Sequence, residues 1–336
     1  MSESAPRPAL REKALIVGAG PIGLACAISA KRAGIPALVV DAGTVVHSIV
    51  RYPVGMRFFT TPELLEIGDH PFPCAGEKPT REEALQYYRG VVRTERLRVR
   101  THTKLIGARA GEDGIRCTLA GDRGPLEILT ERLVLAIGYF DGPRRLDVPG
   151  EGLPHVTHYF DEPHLSWGRD VVVVGGKNSA VEAALEIWRA GGRVTLVHRG
   201  AELGATVKYW IRPDLLNRIA EGSIAARFST VVERIEERAV VVRRVEGGSP
   251  AGEPESIAAD RVYLLTGFRP DFELFRRIGI RLEGEDLRPA VDPETLETNV
   301  AGVHVVGSLV GGTKVSEIFI ENGRFDGDKV FGRGRG

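Results

Sequence analysis

Residues 13–41, KALIVGAGPIGLACAISAKRAGIPALVVD, decide the fold. KALIVG (13–18) is a short apolar run of the buried parallel-strand type. GAGPIG (18–23) is a glycine-rich turn, ACAISAKRAG reads as a helix closed by Gly34, and ALVVD (37–41) is the next strand. In such a unit the first glycine permits a tight turn and the second lets the backbone approach a pyrophosphate. The third packs helix against strand, so the helix N-terminus faces the phosphates. Gly18, Gly20 and Gly23, with Pro21 and Ile22 between them, are therefore expected to hold a dinucleotide. Asp41 ends its strand with a carboxylate suited to accept from ribose hydroxyls.

The device recurs at residues 170–199, DVVVVGGKNSAVEAALEIWRAGGRVTLVHR. A buried strand runs into GGKNSA, a helix stops at Gly191 and Gly192, and VTLVHR is the next strand. Gly18 to Asp41 and Gly175 to His198 both span 23 positions, which marks an internal duplication of the βαβ nucleotide unit. The two ends differ in chemistry. His198 and Arg199 stand where the first unit has Asp41; a carboxylate repels a 2′-phosphate, whereas an arginine pairs with one. The second unit is expected to prefer NADPH over NADH and to bind it through Gly175, Gly176, Lys177, Asn178, Ser179, Ala180, His198 and Arg199. Ala180 replaces the third glycine. Lys177 replaces the second, and either adds charge near the pyrophosphate or points outward.

Two further strands end in small residues suited to flavin contact. LVLAIG (133–138) offers Ala136 and Gly138, and GVHVVGS (302–308) offers Gly307 and Ser308. A helix is expected over 313–324, its N-terminus available to the isoalloxazine edge. The connectors GPRRLDVPGEGLP (142–154) and TGFRPD (266–271), rich in Gly, Pro and charge, read as linkers, and Gly267 in the second is counted among the NADPH contacts. The fold expected is α/β: two Rossmann-type three-layer nucleotide-binding domains. An NADPH domain (144–269) is inserted into a discontinuous FAD domain (1–143 and 270–336). The terminal GRGRG reads as a frayed tail.

Composition agrees and removes other classes. The 336 residues suffice for about two domains, and 43% apolar with 27% charged residues is an ordinary globular mix. Lys+Arg and Asp+Glu are both 45, so there is no broad electrostatic footprint for nucleic acid or an anionic membrane. The 41 glycines are the one excess, about one residue in eight against the usual ~7%. Residues 14–30 look like the apolar core of a signal peptide, but Gly18, Gly20, Pro21 and Gly23 interrupt them. A soluble cytoplasmic protein is expected.

The arrangement resembles the low-molecular-weight thioredoxin-reductase-like flavoproteins and, within them, the YpdA-type bacillithiol disulfide reductases. The resemblance runs along nearly the whole chain: GDHPF (68–72), KPTREEALQYY (78–88), THYF (157–160), GGKNSA (175–180), VKYWIRPD (207–214), LTGFRPD (265–271), PETLETN (293–299) and IFIENGR (318–324). GGKNSA and IFIENGR are the more specific, because a plain thioredoxin reductase has three glycines and a Gly-Asp there. The resemblance implies FAD held through Gly18, Gly20, Gly23, Asp41, Gly138 and Gly307, and NADPH through 175–180 and Arg199. It also implies hydride transfer from NADPH to flavin N5, with electrons passed to a low-molecular-weight disulfide such as bacillithiol disulfide. The rival acceptors are ferredoxin, flavodoxin or a quinone, and a flavin-containing redox sensor is the non-enzymatic rival. A flavin monooxygenase also pairs two nucleotide units, but the FxGxxxH signature is missing.

Two departures bear on mechanism. A thioredoxin reductase carries a CxxC near the place of His158, Tyr159 and Phe160, yet no cysteine follows Cys117. YpdA-type proteins commonly read GGGPCG in the first glycine motif, where this chain has Ile22. Of the three cysteines, Cys26 lies one helical turn beyond Ile22 on the same face and is the candidate redox thiol. Its alanine neighbours favour the alternative, a small hydrophobe. Cys74 falls in a loop, and Cys117 alternates with apolar residues in a strand. His155, His158, Asp161 and His164 recur every three residues, but Pro163 breaks any regular scaffold, so no metal is expected. Lys208, Tyr209, Trp210 and Arg212 combine cations with aromatics that suit an anionic substrate, a nicotinamide phosphate or interdomain packing. Arg51, Tyr52, Phe58 and Phe59 are candidates to approach the flavin or adenine. Aromatic residues in the connectors leave room for a homo-oligomer.

Overall fold

The opening apolar run forms β1 (Leu10–Val17), followed by α1 (Pro21–Arg32) and β2 (Ala37–Val40). Pro21 at the start of α1 supplies a preset φ, and Gly34 at φ +72° turns the chain out of the helix. The short helices α2 (His47–Val50) and α3 (Pro62–Leu65) precede α4 (Arg81–Glu95). There Thr80 and Glu83 form a reciprocal capping box. Next come β3 (Val99–Arg100) and an antiparallel meander of β4 (Thr103–Gly111), β5 (Gly114–Gly121) and β6 (Gly124–Leu135). The structure, a computed structural model, describes residues 10–122, 124–314 and 318–332.

The described residues divide into two compact units. One holds those up to Val50, Gly55–Gly142 and those from Arg269 onward; the other holds Arg51–Val54 and Pro143–Phe268. In the first unit the sheet order is β3-β2-β1-β6-β5-β4. The C-terminal half of β6 is parallel to β1, with Leu133 opposite Leu15. Leu15, Val17, Leu38 and Val40 pack with Phe272, Phe275 and Ile278 of α7 (Phe272–Ile278), while α1 buries Gly23 to Ala30 beside β1 and β2. Each fully buried large aliphatic side chain contributes roughly 1.5–3 kcal/mol.

The second unit contains β7 (Val156–Thr157), β8 (Asp170–Val174), α5 (Asn178–Arg189), β9 (Arg193–Val197), α6 (Arg212–Ala220) and β10 (Ala225–Arg227). Then follow β11 (Thr230–Glu236), β12 (Ala239–Glu246), β13 (Ser249–Ala258) and β14 (Arg261–Leu264). Five strands form a parallel sheet ordered β10-β9-β8-β14-β7. Val171 and Val173 face α5, and Val172 and Val174 face the antiparallel sheet β11-β12-β13, so the alternation along β8 builds three layers. The third layer is a sheet, a feature the sequence reading did not contain.

The chain returns to the first unit through α7, the two-stranded pair β15 (Leu282–Glu283) and β16 (Arg288–Pro289), and β17 (Val303–Val305). β17 pairs in parallel with β6, Val303 opposite Leu133. Instead of one helix over 313–324, the described residues show α8 (Ile320–Gly323) and α9 (Asp326–Phe331). The Asn322 side chain accepts from the Phe319 N–H at 2.8 Å and starts α8 there. Residues 315–317 of that expected helix, and 333–336 of the tail, lie outside the described residues. Among the described residues no helix is long and apolar enough to cross a membrane.

Candidate functional site

The first cradle lies at the C-terminal ends of the adjacent strands β1 and β6, where open α/β sheets bind ligands. Gly18 has φ +111°, and a Cβ there would stand 2.3 Å from the Ala136 carbonyl oxygen. A Cβ on Gly23 would stand 1.9 Å from the Gly18 carbonyl oxygen and 3.2 Å from the Ala136 Cβ. Gly18, Gly23 and Ala136 thus lock α1 against the sheet. Gly20 is different: its φ is −72°, and a Cβ there would meet nothing within 4 Å. The protein itself does not require glycine at that position. The space is what a closely approaching pyrophosphate needs, so the residues present fit a dinucleotide. Gly138, at φ +63°, also faces open space. The N-terminus of α1 has no side-chain cap and no acid in its first turn, which leaves backbone N–H groups for phosphate.

Asp41 directly follows β2 and braces the backbone around the glycine turn. Its Oδ2 accepts from the Ala19 N–H and its Oδ1 from the Gly43 N–H, both at 2.7 Å. Burial pushes its pKa up, those two N–H groups oppose the rise, and Asp141 adds to it. Each oxygen keeps a further lone pair for a hydroxyl donor. Ile22 sits under the returning segment: a Cβ on Gly307 would lie 2.7 Å from its Cδ1, and one on Gly323 would lie 2.6 Å from it. The Gly307 N–H donates to Asp326 Oδ2 at 2.7 Å, and half-buried Ser308 follows in a 3-10 turn. Asp326, whose pKa burial pushes up, was missed in the sequence because its partner is a backbone N–H nineteen residues away.

The second cradle repeats the logic at the ends of β8 and β14. Gly175 has φ +152°, and a Cβ there would meet the Leu265 carbonyl oxygen at 2.6 Å and the Ala180 Cβ at 2.8 Å. Gly267, at φ +95°, follows β14, and its carbonyl accepts from the Arg144 N–H at 2.9 Å. Gly176 is close-packed: a Cβ there would come within 2.3–2.4 Å of three atoms of the His198 ring. His198 therefore acts as a wedge between the two loops, and a Cβ on Gly200 would meet its Nε2 at 2.7 Å. Burial, then Arg199, lowers the His198 pKa and favours a neutral ring. Asn178 ties the helix start to the following loop, since its Oδ1 accepts from the Lys208 N–H at 2.9 Å and its Nδ2 donates to the Thr206 carbonyl at 3.2 Å. Ser179, Lys177 and Arg199 are exposed. The N-terminus of α5 has no side-chain cap and no acid in its first turn, so this loop also fits a phosphate-bearing ligand.

Cys26 is fully buried in α1, and burial, with Asp326 and Asp328 nearby, pushes its thiol far up. Burial holds Cys117 at about 12, and half-buried Cys74 donates to the Gly76 carbonyl at 2.8 Å. All three are free thiols, and this burial opposes a redox role for Cys26. Arg51 and Tyr52 fall in the second unit, where Arg51 Nη1 donates to the Tyr159 hydroxyl at 2.8 Å. Phe58 is buried and Phe59 exposed in the first. Tyr209 and Trp210 are exposed and meet edge to face at 5.0 Å, with the Lys208 ammonium 5.6 Å from the Trp210 ring and 2.6 Å from Glu182.

Residues 15–307 match the family profile described as pyridine nucleotide-disulphide oxidoreductase. The chain is 42% identical over 323 residues to the bacilliredoxin reductase Bdr of Bacillus subtilis (strain 168), covering 96% of this chain and 97% of that one. The solved structure of the bacillithiol disulfide reductase Bdr (YpdA) from Bacillus cereus aligns with a TM-score of 0.89 at 38% identity, over 96% of this chain and 98% of that one. A ferredoxin–NADP reductase of Ignicoccus hospitalis is 29% identical over 311 residues, 90% of this chain and 91% of its own.

Proposed function

The chain belongs to the pyridine nucleotide-disulphide oxidoreductase family and is an FAD-dependent NADPH oxidoreductase, and from that premise we propose that its acceptor is a low-molecular-weight disulfide such as bacillithiol disulfide. The relatives at 42% and 38% identity are named for bacilliredoxin and bacillithiol disulfide respectively. The observation that carries the reading is a pair of glycine cradles in a chain whose three cysteines are all free. FAD, when bound, supplies the carrier that takes a hydride from NADPH and hands two electrons to the acceptor.

The first unit, residues 1–143 with 270–336 by our reading of the sequence, would hold FAD. Gly20 admits the pyrophosphate, the N-terminus of α1 faces it, and Asp41 accepts from the ribose. Ala136, Gly138, Gly307 and Ser308 would line the flavin end, with Pro21 and Ile22 fixing the turn. The inserted unit, residues 144–269, would hold NADPH through 175–180, His198, Arg199 and Gly267. The chain itself supplies no dithiol relay. A small electron-carrier protein is the second reading, favoured by that missing dithiol and by the ferredoxin reductase relative. Both readings suit a cytoplasmic reductase, as a monomer or a homo-oligomer.

Anaerobic stopped-flow absorbance decides between them. The flavin should bleach on mixing with NADPH and recover within seconds when bacillithiol disulfide is added. Flavin that stays reduced until ferredoxin or a quinone is offered would overturn the disulfide reading in favour of the carrier. Bleaching with no recovery by any acceptor would leave a redox sensor.

A further inference from the structure

We propose that Lys177 joins Arg199 in gripping the 2′-phosphate of NADPH, so that the residue in the place of the second glycine selects NADPH over NADH. The inference rests on the reading of the second unit as the NADPH site.

The side-chain path of Lys177 is the first support. Its backbone is extended, φ −114° and ψ −173°, at the N-cap of α5, and it makes no side-chain cap. A Cβ on Gly204 would lie 3.4 Å from the Lys177 Cγ, so the aliphatic stem runs across Gly204. The Gly204 N–H donates to the Gly176 carbonyl at 2.9 Å, which holds that crossing in place. The stem is thereby laid over Gly204, five residues beyond Arg199 in the segment that follows β9. The bare glycine at 204 leaves room for it.

The charge inventory is the second support. Lys208 is committed to Glu182 at 2.6 Å. Arg212 donates to the Leu203 and Gly204 carbonyls and meets Glu202 at 3.4 Å. His198 is wedged against Gly176 with a lowered pKa and adds no positive charge at neutral pH. Lys177 and Arg199 are exposed, and among the described residues neither forms an ion pair. A phosphomonoester carries about −1.5 to −2 charge at neutral pH and three acceptor oxygens. A planar guanidinium can engage two of those oxygens while an ammonium adds a point charge.

Calorimetric titration of the FAD-loaded protein with NADP+ and with NAD+ tests this. Wild type should bind NADP+ the more tightly; if it shows no preference, the NADPH assignment itself falls. Given that preference, Lys177→Met should weaken NADP+ about tenfold, as for one charge-assisted hydrogen bond, and leave NAD+ binding unchanged. Lys177→Arg should restore most of the loss. An equal loss for both nucleotides would put Lys177 on the pyrophosphate and overturn the proposal. An unchanged NADP+ affinity would overturn it as well. The thermal midpoint should not move, since the side chain caps nothing.

Discussion

Gly327 of α9 lies directly on Cys26 of α1: a Cβ at 327 would stand 2.8 Å from the Cys26 Cα and 2.7 Å from the Ser29 Oγ. The contact explains why residue 327 is glycine: α9 rests on the backbone of α1 beside a fully buried thiol. A thiol with its pKa pushed up by burial presents almost no thiolate at neutral pH, and the thiolate is the reactive form. Native alkylation should therefore label Cys74, leaving Cys26 and Cys117 to react on unfolding. Cys26→Ala should cost about 1 kcal/mol of stability and leave NADPH-dependent disulfide turnover in place. Loss of flavin recovery in that variant, with FAD still bound, would make Cys26 a redox centre after all.

Gly18 and Gly20 are two residues apart and glycine for opposite reasons. At Gly18 the positive φ and the Ala136 carbonyl forbid a side chain, so Gly18→Ala should lower folding yield and flavin content together. At Gly20 a methyl group meets no protein atom, so Gly20→Ala should keep the thermal midpoint of the apoprotein. Its flavin content after purification should nevertheless drop sharply, because the methyl occupies the approach of the pyrophosphate. Visible absorbance per mole of protein reads the difference. Full flavin content in Gly20→Ala would remove the first cradle as the FAD site.

The sequence exposed these cradles because they are local. One strand, one glycine turn, one helix and one acceptor residue fit within the 29 residues 13–41, and the spacing repeats in 170–199. What escaped it depends on distant partners. The sheet β11-β12-β13 is defined by the face it buries on Val172, Val174 and Val197, a tertiary condition. The wedge role of His198 needs Gly176 and Gly200 in three dimensions, and Asp326 finds its use only against the Gly307 N–H. The break of 313–324 into a later, shorter α8 is set by Asn322, a capping residue inside what reads as a helix.

Stability should respond to acid with a sign set by the buried histidines. Burial is the main cause that lowers the pKa of His158, His198 and His304 below the ordinary 6.5. Their neutral forms are favoured on folding, so their contribution is complete above 6.5 and is lost as pH falls from there through the folded values. Asp41 and Asp326 act oppositely, because burial raises their pKa above 3.8. Their contribution is present below 3.8 and is lost as pH rises through the folded values. The histidines should therefore lower the thermal midpoint between about pH 7 and pH 5, most visibly in Asp326→Asn, where one opposing carboxylate is gone. Asp326→Asn, which keeps an acceptor for Gly307, should gain over wild type at neutral pH and lose that gain toward pH 4. A midpoint flat from pH 7 to pH 5 would remove the histidine account.

The wedge in the second cradle yields the sharpest genetic test. Gly176→Ala would put a Cβ 2.3 Å from the His198 Cε1, a contact that only movement of the ring or the loop can relieve. The His198 N–H donates to the Arg227 carbonyl at 2.9 Å, which anchors its backbone in the sheet, so either the ring turns or the loop gives way. NADP+ affinity should fall at least tenfold in that variant while flavin content stays at the wild-type level. His198→Ala removes the ring and leaves a void of its own beneath the loop, so it should weaken NADP+ less. Combining the two should recover affinity relative to Gly176→Ala alone, a coupling expected only of groups in contact. Losses that add independently would show that His198 and Gly176 do not share one packing site.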